Sequence, residues 1–280
     1  MERVIRRYRG YEFEFLFEPG GWMTDSELVA LKNALDHVNQ ISAHPLHYGI
    51  FDPSNGIAAL RDFLVRTNLC VMRLEGEPVG LFYNVILQRT SPTAIHAGLI
   101  VIARNTGVDL MRTVAIHMTF LQSRRYGSYY YTNISAIPFF IGVFSDICSQ
   151  TWPSYRSQLT RPPSADHRRM LDLLYREYVQ RYFPGDGIEL DRRRFVLRSS
   201  VEGMGFEPEL RKLPRHPKLE VNVFCMFWLD YSRGEDLVQI GKVDRMVRFK
   251  IAYHVVALRL SEWLRNRFAS GTAGSSLKSA

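Results

Sequence analysis

The sequence predicts a mixed α/β (α+β) fold, in which a mostly antiparallel central sheet is flanked by helices and followed by a C-terminal α/β extension. Three observations lead there. Strand-like stretches joined by turn residues alternate with helical apolar stripes over residues 1–155, and one strand passes through a glycine-bearing loop straight into a helix. After Arg161-Pro162-Pro163 the pattern changes, which sets off residues 156–269 as an extension and leaves 270–280, rich in Gly, Ser and Ala, as a disordered tail.

Tyr11 to Phe17 alternates apolar and acidic residues with period two, as a strand with one buried face does. Thr24, with Glu27 three residues on, forms a capping box for a helix whose stripe is Leu28, Leu31, Leu35 and Val38. A short helix covers Gly56 to Arg66. Leu69 to Leu74 and Pro78 to Leu87 form a hairpin across Glu75-Gly76-Glu77. Ala94 to Ile102 is the next strand, and the helix after its loop repeats Met111, Val114 or Ala115, Met118 and Leu121. Ser128 to Ile134 is an aromatic strand, and Pro138 opens a helix running to Cys148. In the extension the pattern predicts a helix from Ala165 to Tyr182, an apolar strand from Leu219 to Leu229, and a long helix from Val243 to Phe268.

The chain has 280 residues, of which 46% are hydrophobic and 23% charged, an ordinary composition for a protein with a buried core. A net charge of +8 favours acidic partners: nucleic acid, anionic lipid, a phosphorylated cofactor or an acidic carrier protein. Scattered arginines, with neither zinc-type Cys/His spacing nor a helix-turn-helix pattern, argue against nucleic acid. Cys70, Cys148 and Cys225 lie far apart in apolar surroundings, as buried thiols in a reducing compartment do. The basic N-terminal residues precede no apolar signal stretch, and no run reaches the roughly 18 apolar residues of a spanning helix, so the expected location is cytoplasmic. The histidines show no metal-site spacing, and no metal is expected.

Arg104-Asn105-Thr106-Gly107-Val108-Asp109, between a strand and its helix, resembles the Q/R-x-x-G-x-G/A loop of the Gcn5-related N-acetyltransferase (GNAT) superfamily. Asp109 departs from the last position of that motif, and an acidic side chain there suits the cap of the following helix. Tyr131-Thr132-Asn133-Ile134-Ser135-Ala136 is similar to the family's strand ending in asparagine before an alanine-bearing helix. The resemblance implies an acyl-CoA-binding core over residues 1–155. Its loop amides would cradle the pyrophosphate of acetyl-CoA or a longer acyl-CoA at a helix N-terminus. It further implies that backbone groups of Ile100, Val101 and Ile102 meet the pantetheine amides in a wedge between splayed strands, with Asn133 facing the same wedge.

Acyl transfer to an amine needs a base and a proton donor for the leaving thiolate. His96, on the strand leading to the loop with Gly98 and Ile100 on its face, is the candidate base. Tyr131 is the candidate acid among Tyr129, Tyr130 and Tyr131, which alternate faces. The expected activity is N-acyl transfer from acyl-CoA or an acyl carrier protein to an amine of a small molecule or amino acid. The alternatives are a non-catalytic binding or regulatory protein of the same fold, motivated by Asp109, and a basic nucleic-acid-binding module. The extension serves as substrate cover, second lobe or oligomer interface. Its last helix carries Met246, Phe249, Tyr253, Val256, Leu260 and Trp263 on one stripe among several arginines, a pattern that also suits peripheral contact with an anionic membrane.

Overall fold

The structure is a computed structural model and describes residues 2–42, 45–46, 49–51, 55–103, 108–156, 161–183, 187–198 and 213–272. The strands are β1 (Arg3–Tyr8), β2 (Tyr11–Phe17), β3 (Thr67–Leu74), β4 (Glu77–Gln88), β5 (Thr93–Ile102), β6 (Tyr129–Ser135), β7 (Ser149–Trp152), β8 (Glu189–Asp191), β9 (Val196–Arg198) and β10 (Asp236–Val243). The helices are α1 (Asp25–Ile41), α2 (Ile57–Leu64), α3 (Val108–Tyr126), α4 (Pro138–Ile147), α5 (Ala165–Leu174), α6 (Gln180–Tyr182), α7 (Leu219–Trp228) and α8 (Arg245–Thr272). A π-helical turn, Tyr175–Val179, joins α5 to α6.

Among the described residues these strands form one ten-stranded sheet in the order β1-β2-β3-β4-β5-β6-β10-β9-β8, with β7 paired to β10 beside that path. Every pairing is antiparallel except β5 with β6, which is parallel because α3 carries the chain back across the sheet between them. The expected mixed α/β architecture, a mostly antiparallel sheet flanked by helices, is therefore present. Strand β10 pairs directly with β6, so residues of the extension continue the same sheet.

On one face Leu28, Leu31, Leu35 and Val38 of α1, Phe63 of α2 and Leu171 of α5 pack into a single apolar cluster with β3 and β4. On the other face Val114 and Met118 of α3 cover Phe13, Phe15 and Met72, while Phe144 of α4 and Val247, Ile251 and Val255 of α8 pack around Tyr129 and Tyr131. The capping box predicted at Thr24 forms, with its side chain accepting from the Glu27 amide and Glu27 accepting from the Thr24 amide. Thr24→Ala is expected to cost about 1 kcal/mol of stability by urea unfolding, because it orphans an N-terminal donor of α1.

Two expectations are corrected, and two strands are added. Leu219 to Leu229 is helix α7 and not a strand: Val221, Phe224 and Cys225 are buried at helical spacing. Apolar residues on its remaining faces, with Phe227 88% exposed, hide that period in the sequence. In α8 the docking face is Val247, Ile251 and Val255, whereas Met246, Phe249, Tyr253, Val256 and Leu260 of the expected stripe are exposed. Strands β1 and β10 escaped the pattern because charged or polar residues interrupt them. Strand β1 alternates buried Val4 and Tyr8 with arginines at the sheet edge, and Arg3 pairs with Glu14 at 2.6 Å.

Candidate active site

Strands β5 and β6 pair from Thr93↔Tyr129 to Ala97↔Asn133, and there their register ends. Beyond it β5 runs on to Ile102 against β4, and β6 runs on to Ser135 against β10. Each strand is held by its outer neighbour, so a wedge opens between them.

The cause lies in the β4–β5 ladder. Its register jumps from Asn84↔Ala97 to Phe82↔Ile100, setting Gly98 and Leu99 against Tyr83 alone. This is a β-bulge, which bends the bulged strand away from its former course. Gly98 is required there because a Cβ would stand 2.3 Å from a Tyr83 ring carbon and 2.8 Å from the Tyr83 carbonyl oxygen. The extra residue also reverses the alternation of side chains. Ala94, Leu99 and Val101 join the core on the α1 face, while Ile95, Ala97, Ile100 and Ile102 join the cores on the α3 face. His96 packs its ring, tilted, against Tyr178, a residue of the α1-face core, so Ile100 does not share its face as the uninterrupted pattern predicts.

A cavity of about 260 Å³ occupies the wedge and brings together His96, Tyr131, Asn133 and Ile100. Val101 and Ile102 contribute strand backbone beside it. Arg104, Asn105, Thr106 and Gly107 lie outside the described residues, and Val108 and Asp109 open α3. The apolar walls come from Phe139, Phe140, Val143 and Phe144 at α4 and from Met111 and Ala115 of α3.

His96 is 2% exposed, and its Nδ1 lies 2.9 Å from the Thr132 Oγ1. Its ring centroid stands 4.1 Å from that of Tyr178, which the π-helical turn delivers from the extension. Burial pushes the His96 pKa down to about 3, against the smaller opposing effect of its hydrogen bond to Thr132. The imidazole is therefore neutral at pH 7.

Tyr131 donates to the Asn84 Oδ1 at 3.2 Å, and Asn84 donates in turn to the Gln122 Oε1 at 3.1 Å. Burial raises the Tyr131 phenol above its ordinary pKa, so it stays protonated. Asn133 donates to the Gln239 Oε1 at 3.3 Å, and Gln239 is fixed by donating to the Ser145 Oγ and the Pro153 carbonyl. That bracing comes from β10, an element the sequence pattern did not reveal.

Reading the sequence alone missed Tyr178, Phe183 and Asp236, which reach the cavity from the extension. It also missed Arg112 at the outer end of the cavity. One signal was available: a lone glycine inside the apolar run Ala94 to Ile102 marks a bulge or a close backbone approach. None existed for Tyr178, whose aim depends on the π-turn.

The edge of β5 facing the wedge is extended backbone whose register with β6 has ended, beside apolar walls and the polar groups of His96, Tyr131 and Asn133, with the charged Arg112 and Asp236 also on the lining. Such a site suits a slender, uncharged arm carrying amides, which can pair with a strand edge as an added strand does.

No family model and no curated protein matches the chain. Among solved structures it is similar over part of its length to mutant forms of a spermidine/spermine N-acetyltransferase from Vibrio cholerae, at 12% identity and a TM-score of 0.31, covering 52% of this chain and 78% of that one. An uncharacterized protein from Bacillus halodurans aligns at 11% identity and a TM-score of 0.32, over 53% of this chain and 80% of the other. A spermidine N-acetyltransferase from Vibrio cholerae, in complex with CoA and spermine, aligns at 12% identity and a TM-score of 0.27, over 43% of this chain and 70% of its own.

Proposed function

We propose that the chain is a GNAT-type N-acyltransferase that moves an acyl group from acyl-CoA, or from an acyl carrier protein, to an amine of a small molecule or amino acid. The observation that supports this best is the wedge between parallel β5 and β6, opened by the Gly98–Leu99 bulge inside an otherwise antiparallel sheet. In this reading the backbone of Gly98 to Ile102 pairs with the pantetheine amides, Asn133 faces the same arm, and Arg104 to Asp109 hold the pyrophosphate at the start of α3. The bound donor supplies an activated thioester carbonyl.

The rest of the chemistry falls to side chains. Neutral His96 accepts a hydrogen bond from the acceptor amine and holds its lone pair toward the thioester. Burial makes it too weak a base to deprotonate an ammonium in solution, so the amine enters uncharged. As the C–N bond forms and the C–S bond breaks, Tyr131, once it releases Asn84, donates a hydrogen bond to the leaving sulfur, and the proton that the amine nitrogen gives up goes to that sulfur, leaving the amide and a free thiol. Tyr178 and Phe183 cover the cavity from the extension.

Calorimetric titration with acetyl-CoA and with a long-chain acyl-CoA tests the reading. Saturable binding of either, followed by acylation in a screen of amines, is the expected result. Binding of neither donor, nor of an acylated carrier protein, overturns it.

A further inference from the structure

Outside the wedge cavity, and sharing Arg112, Phe139, Val143 and Ile147 with it, runs a second groove of about 350 Å³ between α4, α8 and the chain entering α7. Its character is opposite. Arg112, Arg156, Lys218 and Lys250 line it, with Asp146 as its single carboxylate. Lys218 donates to Asp146 at 2.8 Å, Arg156 pairs with the same carboxylate, and Lys250 donates to the Asp146 backbone carbonyl at 3.1 Å. One carboxylate cannot offset four cations.

Asp146 shows how strong the local positive field is. Burial acts to raise its pKa, yet hydrogen bonds from Lys218 and Tyr155 and the charges of Lys218 and Arg156 hold it below the usual carboxylate range. The groove also carries ring surface from Phe139, His216 and His254. An apolar, amide-lined channel leading outward into a cation-lined groove fits a ligand with a neutral slender arm and a phosphorylated end.

We propose that this groove binds phosphate of the acyl donor's phosphopantetheine-bearing end, in addition to whatever phosphate the loop before α3 holds. The inference rests on the acyltransferase reading. Arg112 lines both the apolar cavity and the groove, where a phosphate beyond the arm that the loop does not hold would meet it, and Lys250 and Lys218 add charge along the groove.

The test compares the full chain with an Arg112→Ala/Lys250→Ala variant, both shown to be folded by circular dichroism, in titrations with CoA, pantetheine and a phosphopantetheinylated carrier protein. Both substituted side chains are exposed, so folding is preserved. Loss of two charge-assisted contacts is expected to weaken CoA binding by roughly tenfold or more, with pantetheine unaffected and the salt dependence of CoA binding reduced. A loss confined to the carrier protein also supports the groove and assigns it to a carrier-borne arm. Unchanged affinity for both phosphorylated ligands overturns the proposal while leaving the acyltransferase reading intact. If the unsubstituted chain binds none of the three, both fall together.

Discussion

Gly98→Val is expected to abolish binding of a CoA thioester and to cost about 3 kcal/mol of stability, the upper end of what overpacking usually costs. The new Cβ would stand 2.3 Å from the Tyr83 ring and 2.8 Å from the Tyr83 carbonyl. The ring could swing aside, but the carbonyl belongs to β4 and cannot move without breaking the ladder that holds β5 open. Strand β5 must then straighten or withdraw, and in either case the bulge that ends the β5–β6 register is lost. Calorimetry measures the first effect and urea unfolding the second. A variant that keeps full stability and full affinity would show that the bulge does not set the wedge.

The second large effect is a pH dependence. Unfolded, His96 titrates near 6.5; folded, it titrates at about 3 because burial penalises the imidazolium. Between those values the unfolded chain binds a proton that the folded chain refuses. Stability therefore falls as pH drops below about 6.5, by up to about 1.4 kcal/mol per pH unit, and the loss levels off toward pH 3. Carboxylates held below their ordinary range, such as Asp146, also lose stability in acid, but lower on the scale. The contribution of His96 is isolated by comparison with His96→Gln between about pH 5 and pH 6.5, a window where histidine and not carboxylate titrates. The variant is expected to show a shallower decline there. Equal slopes would mean that His96 takes up its proton in the folded state and serves as an ordinary base.

The same burial bears on catalysis. With His96 neutral throughout, the rate is expected to follow deprotonation of the acceptor amine and to show no inflection near 6.5 from the enzyme, which a pH–rate profile on any accepted amine reports.

How far the sequence reveals this molecule depends on where information is local. Thr24 with Glu27, the Glu75-Gly76 turn and the stripe Leu28, Leu31, Leu35, Val38 each carry their structure within a few residues, and each is found as expected. His96, Tyr131, Asn133 and Ile100, drawn from two strands, line one cavity. Strand β10 could not be read in this way: Asp236, Gln239 and Lys242 break its apolar pattern, and they are tolerated only because distant groups receive them, as Ser145 and Pro153 do for Gln239. Helix α7 was misread because apolar Leu219, Val223, Met226 and Phe227 occupy its exposed positions and hide the period of the buried Val221, Phe224 and Cys225. Inversion of the β5 faces follows from one inserted residue at Gly98–Leu99, which a strict period of two cannot represent.

Hydrogen exchange of the Gly98–Ile102 amides, with and without a CoA thioester, tests the central claim most directly. If the wedge is the donor site, a bound pantetheine arm pairs with this stretch, and its amides gain protection out of proportion to the rest of the sheet. Binding that leaves these amides unchanged, or no binding at all, would contradict it.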